Sequence, residues 1–347
     1  MFTRPDDLPE AVLAGALRDG WGFTPASLEY QAVGFGSHHW LATDARGGRV
    51  FATVDDLTAR LRTRQDTADA AFGRLSRALA TALSLRAEAG LAFVVAPVPA
   101  SGGQVVARLS GRYSLAAYPY LTGTSAGASG EFARAGDRRA ALDLLVQLHR
   151  AKAGRPRAED FVVPRLDALG PMMAEPREAW QGGPYARRAG DLLQAHAAGL
   201  SALVTAYAGL AERAAQRRDR MVITHGEPHA GNVMTTPGGL ALVDWDTVLL
   251  APPERDLWDM AGDDGSLLGH YTRATGIQVD PEALALYRLW FDLAEISEYL
   301  TLFRAPHGDT ADAAEAWENL RHFLRPAERW PALCNPGRAA HEPEATT

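Results

Sequence analysis

The chain has 347 residues, 47% hydrophobic and 22% charged, with a formal net charge of −7. That length buries a substantial core and is expected to divide into two lobes, while the acidic balance disfavours nonspecific nucleic-acid binding and suits a cationic small partner. A single cysteine, Cys334, excludes a disulfide framework or a multi-cysteine metal site. The acid-containing start MFTRPDDLPEAVLAGAL and the lack of a long apolar run point to neither a signal peptide nor a membrane span, so the expectation is cytoplasmic.

In chain order, residues 8–19 read as a short helix. The segment 28-LEYQAVGFGSHHWLATD-44 reads as two strands around a Gly-x-Gly-Ser turn, and 49-RVFATVDD-56 as a third strand. Phe72, Leu75, Leu79 and Ala82 recur at helical spacing in a stretch from about Gln65 to Ala89. Strand runs follow at 92-AFVVAPV-98, 104-QVVARL-109 and 113-YSLAAYPYL-121, and 122-TGTSAGASG-130 has the composition of a linker. Beyond it helices dominate, marked by Leu142, Leu145 and Leu148, by His196, Leu200, Leu203, Tyr207 and Leu210, and by 284-LALYRLWFDLAEISEYL-300. The polar tail 335–347 is expected to be mobile.

The densest chemistry lies in 221-MVITHGEPHAGNVMTTPGGLALVDWD-246. A zinc helix needs two histidines one turn apart, but Gly226 and Pro228 between His225 and His229 are the two poorest helix formers. The alternative is a strand, a loop, a hairpin about 236-TPGG-239, and then Asp244 at the exit of the apolar strand 240–243. A pattern H-x-(D/E)-x-x-x-x-N followed by such an aspartate suits phosphoryl transfer, where an acid orients a hydroxyl and Asn and Asp hold magnesium on nucleotide phosphates.

On these residues the chain resembles the aminoglycoside phosphotransferase family, nearest its spectinomycin phosphotransferase branch, over roughly residues 20–330. The family's H-G-D-x-x-x-x-N is matched by His225-Gly226-Glu227-Pro228-His229-Ala230-Gly231-Asn232, its D-x-D by Asp244-Trp245-Asp246, and its P-x-x-D-L by 251-APPERDLWDM-260. The resemblance implies an α+β, bilobal, protein-kinase-like fold. Its parts would be a nucleotide-binding lobe at 1–118, a hinge at 119–124, and a helical lobe at 125–334 holding the catalytic loop and acceptor site. It implies ATP or GTP as phosphoryl donor, Mg2+ as cofactor, and a small polar, cationic hydroxyl compound as acceptor. Spectinomycin or a related aminocyclitol is the first candidate; choline, an amino alcohol, a sugar or another antibiotic is the alternative, as is nucleotide binding without turnover.

In that frame Glu227 is the catalytic acid, one methylene longer than the family's aspartate. Asn232 and Asp244 are the metal ligands, and His225, His229, Asp246 and Asp256 support the loop. Gly34, Gly36 and Ser37, with Thr53, Pro119, Tyr120 and Leu121, surround the nucleotide. Thr53 stands where the family carries a lysine on the third strand, and Arg49, Arg60, Arg62 and Arg64 are the candidates to replace its charge. Acids at Asp263, Asp264, Asp292, Glu295 and Glu298 are the candidates to meet a cationic acceptor, the last three spaced by three along a helix.

Overall fold

The computed structural model describes residues 1–34, 36–127, 131–260 and 265–334. Asp263, Asp264, Phe35 and the tail from residue 335 therefore lie outside the described residues. The chain forms two compact units. The first comprises Met1–Leu61, Asp66–Asp160 and Arg218–Leu284; the second comprises Arg62–Gln65, Phe161–Arg217 and Ala285 onward.

The first unit opens with helix α1 (Glu10–Trp21) and strands β1 (Pro25–Gln31), β2 (Ser37–Asp44) and β3 (Arg49–Asp56). Helix α2 (Ala68–Ala87) follows, then β4 (Ala107–Arg108) and β5 (Tyr113–Pro119). The five strands form one antiparallel sheet in the order β1-β2-β3-β5-β4. Alternation along the strands gives the sheet two different faces. Trp40, Ala42, Ala52, Val54, Leu115 and Ala117 pack with Leu13 and Leu17 of α1. The opposite face carries Ser37, His39, Thr53 and Asp55, the residues that reach the site described below.

Two expected strands shrink. The run 92–98 forms only a single bridge, Val94 to Leu242, because Pro97 and Pro99 remove ladder donors. The run 104–109 shortens to β4, because Val105 and Val106 are both buried against Leu75 and Leu79 of α2. Consecutive residues of a pleated strand point to opposite faces and cannot both enter one core.

The glycine-rich segment after β5 is not a slack linker where it is described. Thr124–Ser125 is strand β6, paired with β9 (Val233–Thr236), which in turn pairs with β10 (Gly239–Leu242). A Cβ on Gly127 would stand 1.8 Å from the Glu131 carbonyl oxygen, so this glycine serves close backbone packing. Helix α3 (Ala135–Arg150) follows and packs Leu142, Leu145 and Leu148 into a core shared with Trp245, Leu257 and Tyr271. A third sheet, β7 (Arg157–Ala158), β11 (Leu249–Ala251) and β8 (Val222–Thr224), brackets the motif-bearing loop. Short helix α6 (Glu254–Leu257) and α7 (Ser266–Thr275) complete the first unit apart from the opening residues of α8.

The second unit is helical: α4 (Leu166–Ala174), α5 (Ala186–Ala215), most of α8 (Pro281–Arg304), and α9 (Ala311–Phe323). Two short helices, α10 (Pro326–Arg329) and α11 (Pro331–Cys334), end the described chain. Thr310 starts α9 by accepting the Ala313 N–H, the capping role its hydroxyl suits. Among the described residues no helix is long and apolar enough to cross a membrane.

Candidate functional site

The loop between β8 and β9 is held by two buried side chains from outside it. Asp256, on α6, accepts the N–H of His225 at 2.8 Å and of Gly226 at 2.6 Å, and His149 Nε2 lies 3.0 Å from the same carboxylate. Burial opposes the charge on Asp256, but the His149 hydrogen bond and the nearby Arg255 charge outweigh it and hold this carboxyl below its ordinary value. Arg255 donates to Thr224 Oγ1 at 3.0 Å and to Thr247 O at 2.9 Å. Its guanidinium lies where a Cβ on Gly226 would sit, at 2.4 Å, and Gly226 has φ +109. No other residue type suits position 226 on either count.

His225 is fully buried, and its two ring nitrogens have different tasks. Nε2 donates to Val243 O at 2.8 Å, while Nδ1 accepts the Glu227 N–H at 3.2 Å. The ring also stands edge-on to Trp245, 4.7 Å between centroids. Only the neutral ring does both jobs. Burial accordingly lowers its pKa from 6.5 to about 4, against the pull of Asp256. His39 is lowered to about 4 as well, again first by burial.

Between pH 6.5 and 4 the unfolded chain takes up a proton that folded His225 refuses. Stability present above pH 6.5 is therefore lost as pH falls, by about 1.4 kcal/mol per pH unit for one histidine. Thermal melts from pH 7.5 to 4.5 should show this slope in the wild type and a shallower one in His225→Gln. A wild-type melting temperature that stays level down to about pH 5 would sink the assignment.

Within the loop, His229 Nδ1 accepts the Gly231 N–H at 3.1 Å and caps a single turn, Ala230–Asn232. Asn232 donates its Nδ2 to Glu227 O at 2.9 Å, and its own carbonyl accepts the Val243 N–H at 3.0 Å. Those contacts place Asn232 beside both Glu227 and the segment that leads into Asp244. Ser125 Oγ donates to Ala230 O at 2.9 Å, tying the strand after β5 to the loop.

Asp244 follows β10 with φ +63, a left-handed conformation uncommon for a residue with a Cβ. Trp245 beside it is fully buried and donates Nε1 to Leu242 O at 2.6 Å, anchoring the turn. Asp244 is exposed to solvent, although neighbouring protein still costs its carboxylate part of its hydration. Desolvation pushes its carboxyl well above the ordinary value, and the charges of Asp246 and Glu227 push the same way, with Arg60 opposing. Glu227, Asp244 and Asp246 thus form one acidic locus.

Asp246 accepts Arg60 Nη2 at 2.5 Å. The same nitrogen donates to Asp55 Oδ1 at 2.6 Å, and Ser37 Oγ donates to that oxygen at 2.7 Å. Burial raises the Tyr118 hydroxyl well above its ordinary value, and the charges of Asp55, Asp244 and Asp246 add to it, so this β5 ring borders the acids. Gly34 and Gly36 lie in the β1–β2 turn with φ +67 and +97. Thr53 Oγ1 lies 3.2 Å from His39 Nδ1. Pro119 ends β5 opposite Val50, Tyr120 lies under the Arg49 guanidinium at 4.0 Å, and Leu121 follows.

Oxygen donors of this kind fit magnesium. Among the described residues no group of three or more His, Cys, Asp or Glu side chains is disposed to hold a metal ion. Magnesium needs no such cage, since one or two carboxylates with phosphate oxygens and waters suffice.

The three-spaced acids of α8 do not form one open face. Asp292 is 2% exposed and its carboxylate is taken by Arg329, at 2.6 and 2.9 Å, and by Trp330 Nε1 at 2.7 Å. That occupied carboxylate corrects its placement among the acceptor candidates: Asp292 fastens α10 to α8. Glu295 bonds the Tyr299 hydroxyl at 2.6 Å, and Glu298 lies 3.8 Å from Arg165. Burial raises the carboxyls of both.

Sequence reasoning gave no role to Asp55, His149 or Arg255. Asp55 had a signal, an acid two residues after Thr53 and so on the same strand face. Arg255 and His149 had none, being an arginine beside an expected aspartate and a lone histidine at a helix end.

Comparison with known proteins adds the following. A model of the "Phosphotransferase enzyme family" matches residues 34–299. Protein StrN of Streptomyces griseus is 33% identical over 255 residues, covering 69% of this chain and 74% of that protein. Among solved structures, spectinomycin phosphotransferase in complex with ADP and spectinomycin has a TM-score of 0.68 at 16% identity, covering 93% of this chain and 98% of that one. Amicoumacin kinase in complex with AMP-PNP, Ca2+ and Ami has a TM-score of 0.57 at 14% identity, covering 96% of this chain and 94% of that one. At such identities the likeness to the solved structures is one of fold.

Proposed function

The chain belongs to the phosphotransferase enzyme family, and from that premise we propose that it transfers the γ-phosphoryl group of ATP or GTP to a hydroxyl of an aminocyclitol or aminoglycoside, with spectinomycin the first compound to try. It is a phosphotransferase acting on small hydroxyl compounds, with the α+β, kinase-like fold of a five-stranded antiparallel sheet and one helix followed by a mostly helical part. The observation that carries the finer reading is the acidic locus of Glu227, Asp244 and Asp246, with Asn232 beside it.

Glu227 is the proposed base. It accepts a hydrogen bond from the acceptor hydroxyl and takes its proton as the oxygen bonds to the γ-phosphorus and the bond to the β-phosphate oxygen breaks, releasing the nucleoside diphosphate. Asn232 and Asp244 are the proposed magnesium ligands, and the ion when bound supplies neutralisation of phosphate charge. Asp256, His225 and His229 fix the loop backbone on which Glu227 and Asn232 ride. Gly34, Gly36 and Ser37 are proposed to face the phosphates, and the backbone of Pro119, Tyr120 and Leu121 the purine edge.

The test is a mass-spectrometric assay with magnesium, ATP and GTP against spectinomycin, other aminoglycosides, choline and simple sugars, with Asp244→Asn as control. A product 80 mass units heavier (roughly the mass of an added HPO3) that disappears in the control supports the reading and identifies the acceptor. Phosphorylation of choline or a sugar alone would replace the aminocyclitol by that acceptor.

A further inference from the structure

Position 53 of the third strand is a threonine and carries no charge, and the chain is poor in alternatives. Lys152 is its single lysine and is exposed in the segment after α3. Thr53, on the face of β3 that carries Asp55, has its hydroxyl 3.2 Å from His39 Nδ1. Arg49 is stacked on Tyr120. Arg62 donates to Val162 O at 2.9 Å and Arg64 pairs with Asp167 at 3.7 Å, both within the second unit.

Arg60 is placed differently. Its Nη2 reaches three elements at once: Asp55 Oδ1 on β3 at 2.6 Å, Asp246 Oδ2 after β10 at 2.5 Å, and Ser37 Oγ at the glycine turn at 3.3 Å. Its Nε adds a second bond to Asp55 Oδ1 at 3.1 Å. The side chain is 24% exposed, whereas Asp55 is 3% and Asp246 14% exposed, so Arg60 is the most accessible of the three. The backbone beneath it is also held, since Arg74 of α2 donates to Arg60 O at 3.1 Å. A fixed arginine between a glycine turn and a pair of acids is built to meet an anion that bridges the same two places.

We propose that Arg60 binds the phosphates of the nucleotide, supplying from the segment after β3 the charge that Thr53 does not, with Asp55 as the carboxylate that holds it. The assignment rests on the kinase reading above. Asp55 keeps the guanidinium in register, and five N–H donors leave it able to bond Asp55 and phosphate oxygens together. Before nucleotide arrives, Arg60 also offsets the repulsion among the acids around Asp246.

The experiment measures nucleotide and nucleoside binding by calorimetry, with magnesium and again in EDTA, alongside steady-state kinetics. The probes are ATP and adenosine, or GTP and guanosine if the guanine nucleotide is the donor. The proteins are the wild type, Arg60→Ala, Arg60→Lys and the double variant Thr53→Lys/Arg60→Ala, each checked by circular dichroism. Arg60→Ala should weaken triphosphate binding about ten- to hundredfold in both buffers, as expected for losing hydrogen bonds from a charged group, while nucleoside binding stays unchanged. Arg60→Lys should recover part of the loss, and the lysine at position 53 should recover triphosphate binding in the double variant. Equal loss of triphosphate and nucleoside affinity would make Arg60 a structural residue and overturn the proposal, as would wild-type triphosphate affinity in Arg60→Ala. If Arg60→Ala does not fold, Arg60→Lys and Arg60→Gln carry the same comparison. A wild-type chain that binds no nucleotide overturns the kinase reading and this assignment together; normal wild-type binding with an indifferent Arg60→Ala overturns this assignment alone.

Discussion

Asp244→Asn should lower kcat by on the order of 10³-fold, the scale of losing one preorganised charge-stabilising group, and should raise the melting temperature in metal-free buffer. Both effects have one cause. The Asp244 carboxyl is crowded by Asp246 and Glu227 in a desolvating setting, which pushes its pKa well up. A carboxyl whose folded pKa exceeds its unfolded value favours folding most at low pH, and that advantage is lost as pH rises through the folded pKa. At neutral pH the ionised group is therefore a burden that a bound cation relieves further, and asparagine removes it with little change of shape. Asparagine also tolerates φ near +63 better than most residues, so the backbone turn survives where alanine would add strain. Adding magnesium and nucleotide should reverse the order, stabilising the wild type by mass action and the variant much less. Turnover within tenfold of wild type, or a lower melting temperature in EDTA, would remove Asp244 from the metal role.

Asp256→Ala should have the larger effect on stability, about 3–5 kcal/mol, as for a buried charge network broken at one partner. Asp256 is fully buried and accepts from two consecutive loop amides and from His149. Alanine leaves three donors without an acceptor in the interior and leaves Arg255 with one fewer opposing charge. Native stabilities of about 5–15 kcal/mol make such a loss severe. The denaturant midpoint should fall with an unchanged slope, and the surviving folded protein should turn over slowly, because the amides of His225 and Gly226 lead directly into Glu227. Asp256→Asn should fall between, keeping one acceptor oxygen while turning an amide toward donors. A loss under about 1 kcal/mol would show that the loop is held by Arg255 and the β8–β11 pairing instead.

Much of the site was legible because it is local in sequence. His225, Glu227 and Asn232 lie within eight residues, and the turn residues Gly226 and Pro228 already argue for a loop. Asp244 follows an apolar run that could only be a buried strand. The two helices and strands β1, β2, β3 and β5 before residue 120 were equally readable from alternation and helical spacing. Two of the differences have tertiary causes: Val105 and Val106 face one core together, and Gly127 packs against Glu131 O instead of loosening the chain. The third is local, since Pro97 and Pro99 spoil a ladder.

The sequence by itself determined the family, the kinase-like class of fold, and the identity of the loop residues, since each rests on periodicity or on motif spacing along one stretch of chain. Only the tertiary structure decided which of four arginines meets the acids, that Asp55 and Ser37 share its charge, and that Asp292 is spent on Arg329 and Trp330. Arg60 and Asp246 are 186 residues apart. No local pattern encodes such a pairing: it depends on where packing brings two distant backbones, and a flexible charged side chain at the surface and one held in a site look the same in one dimension.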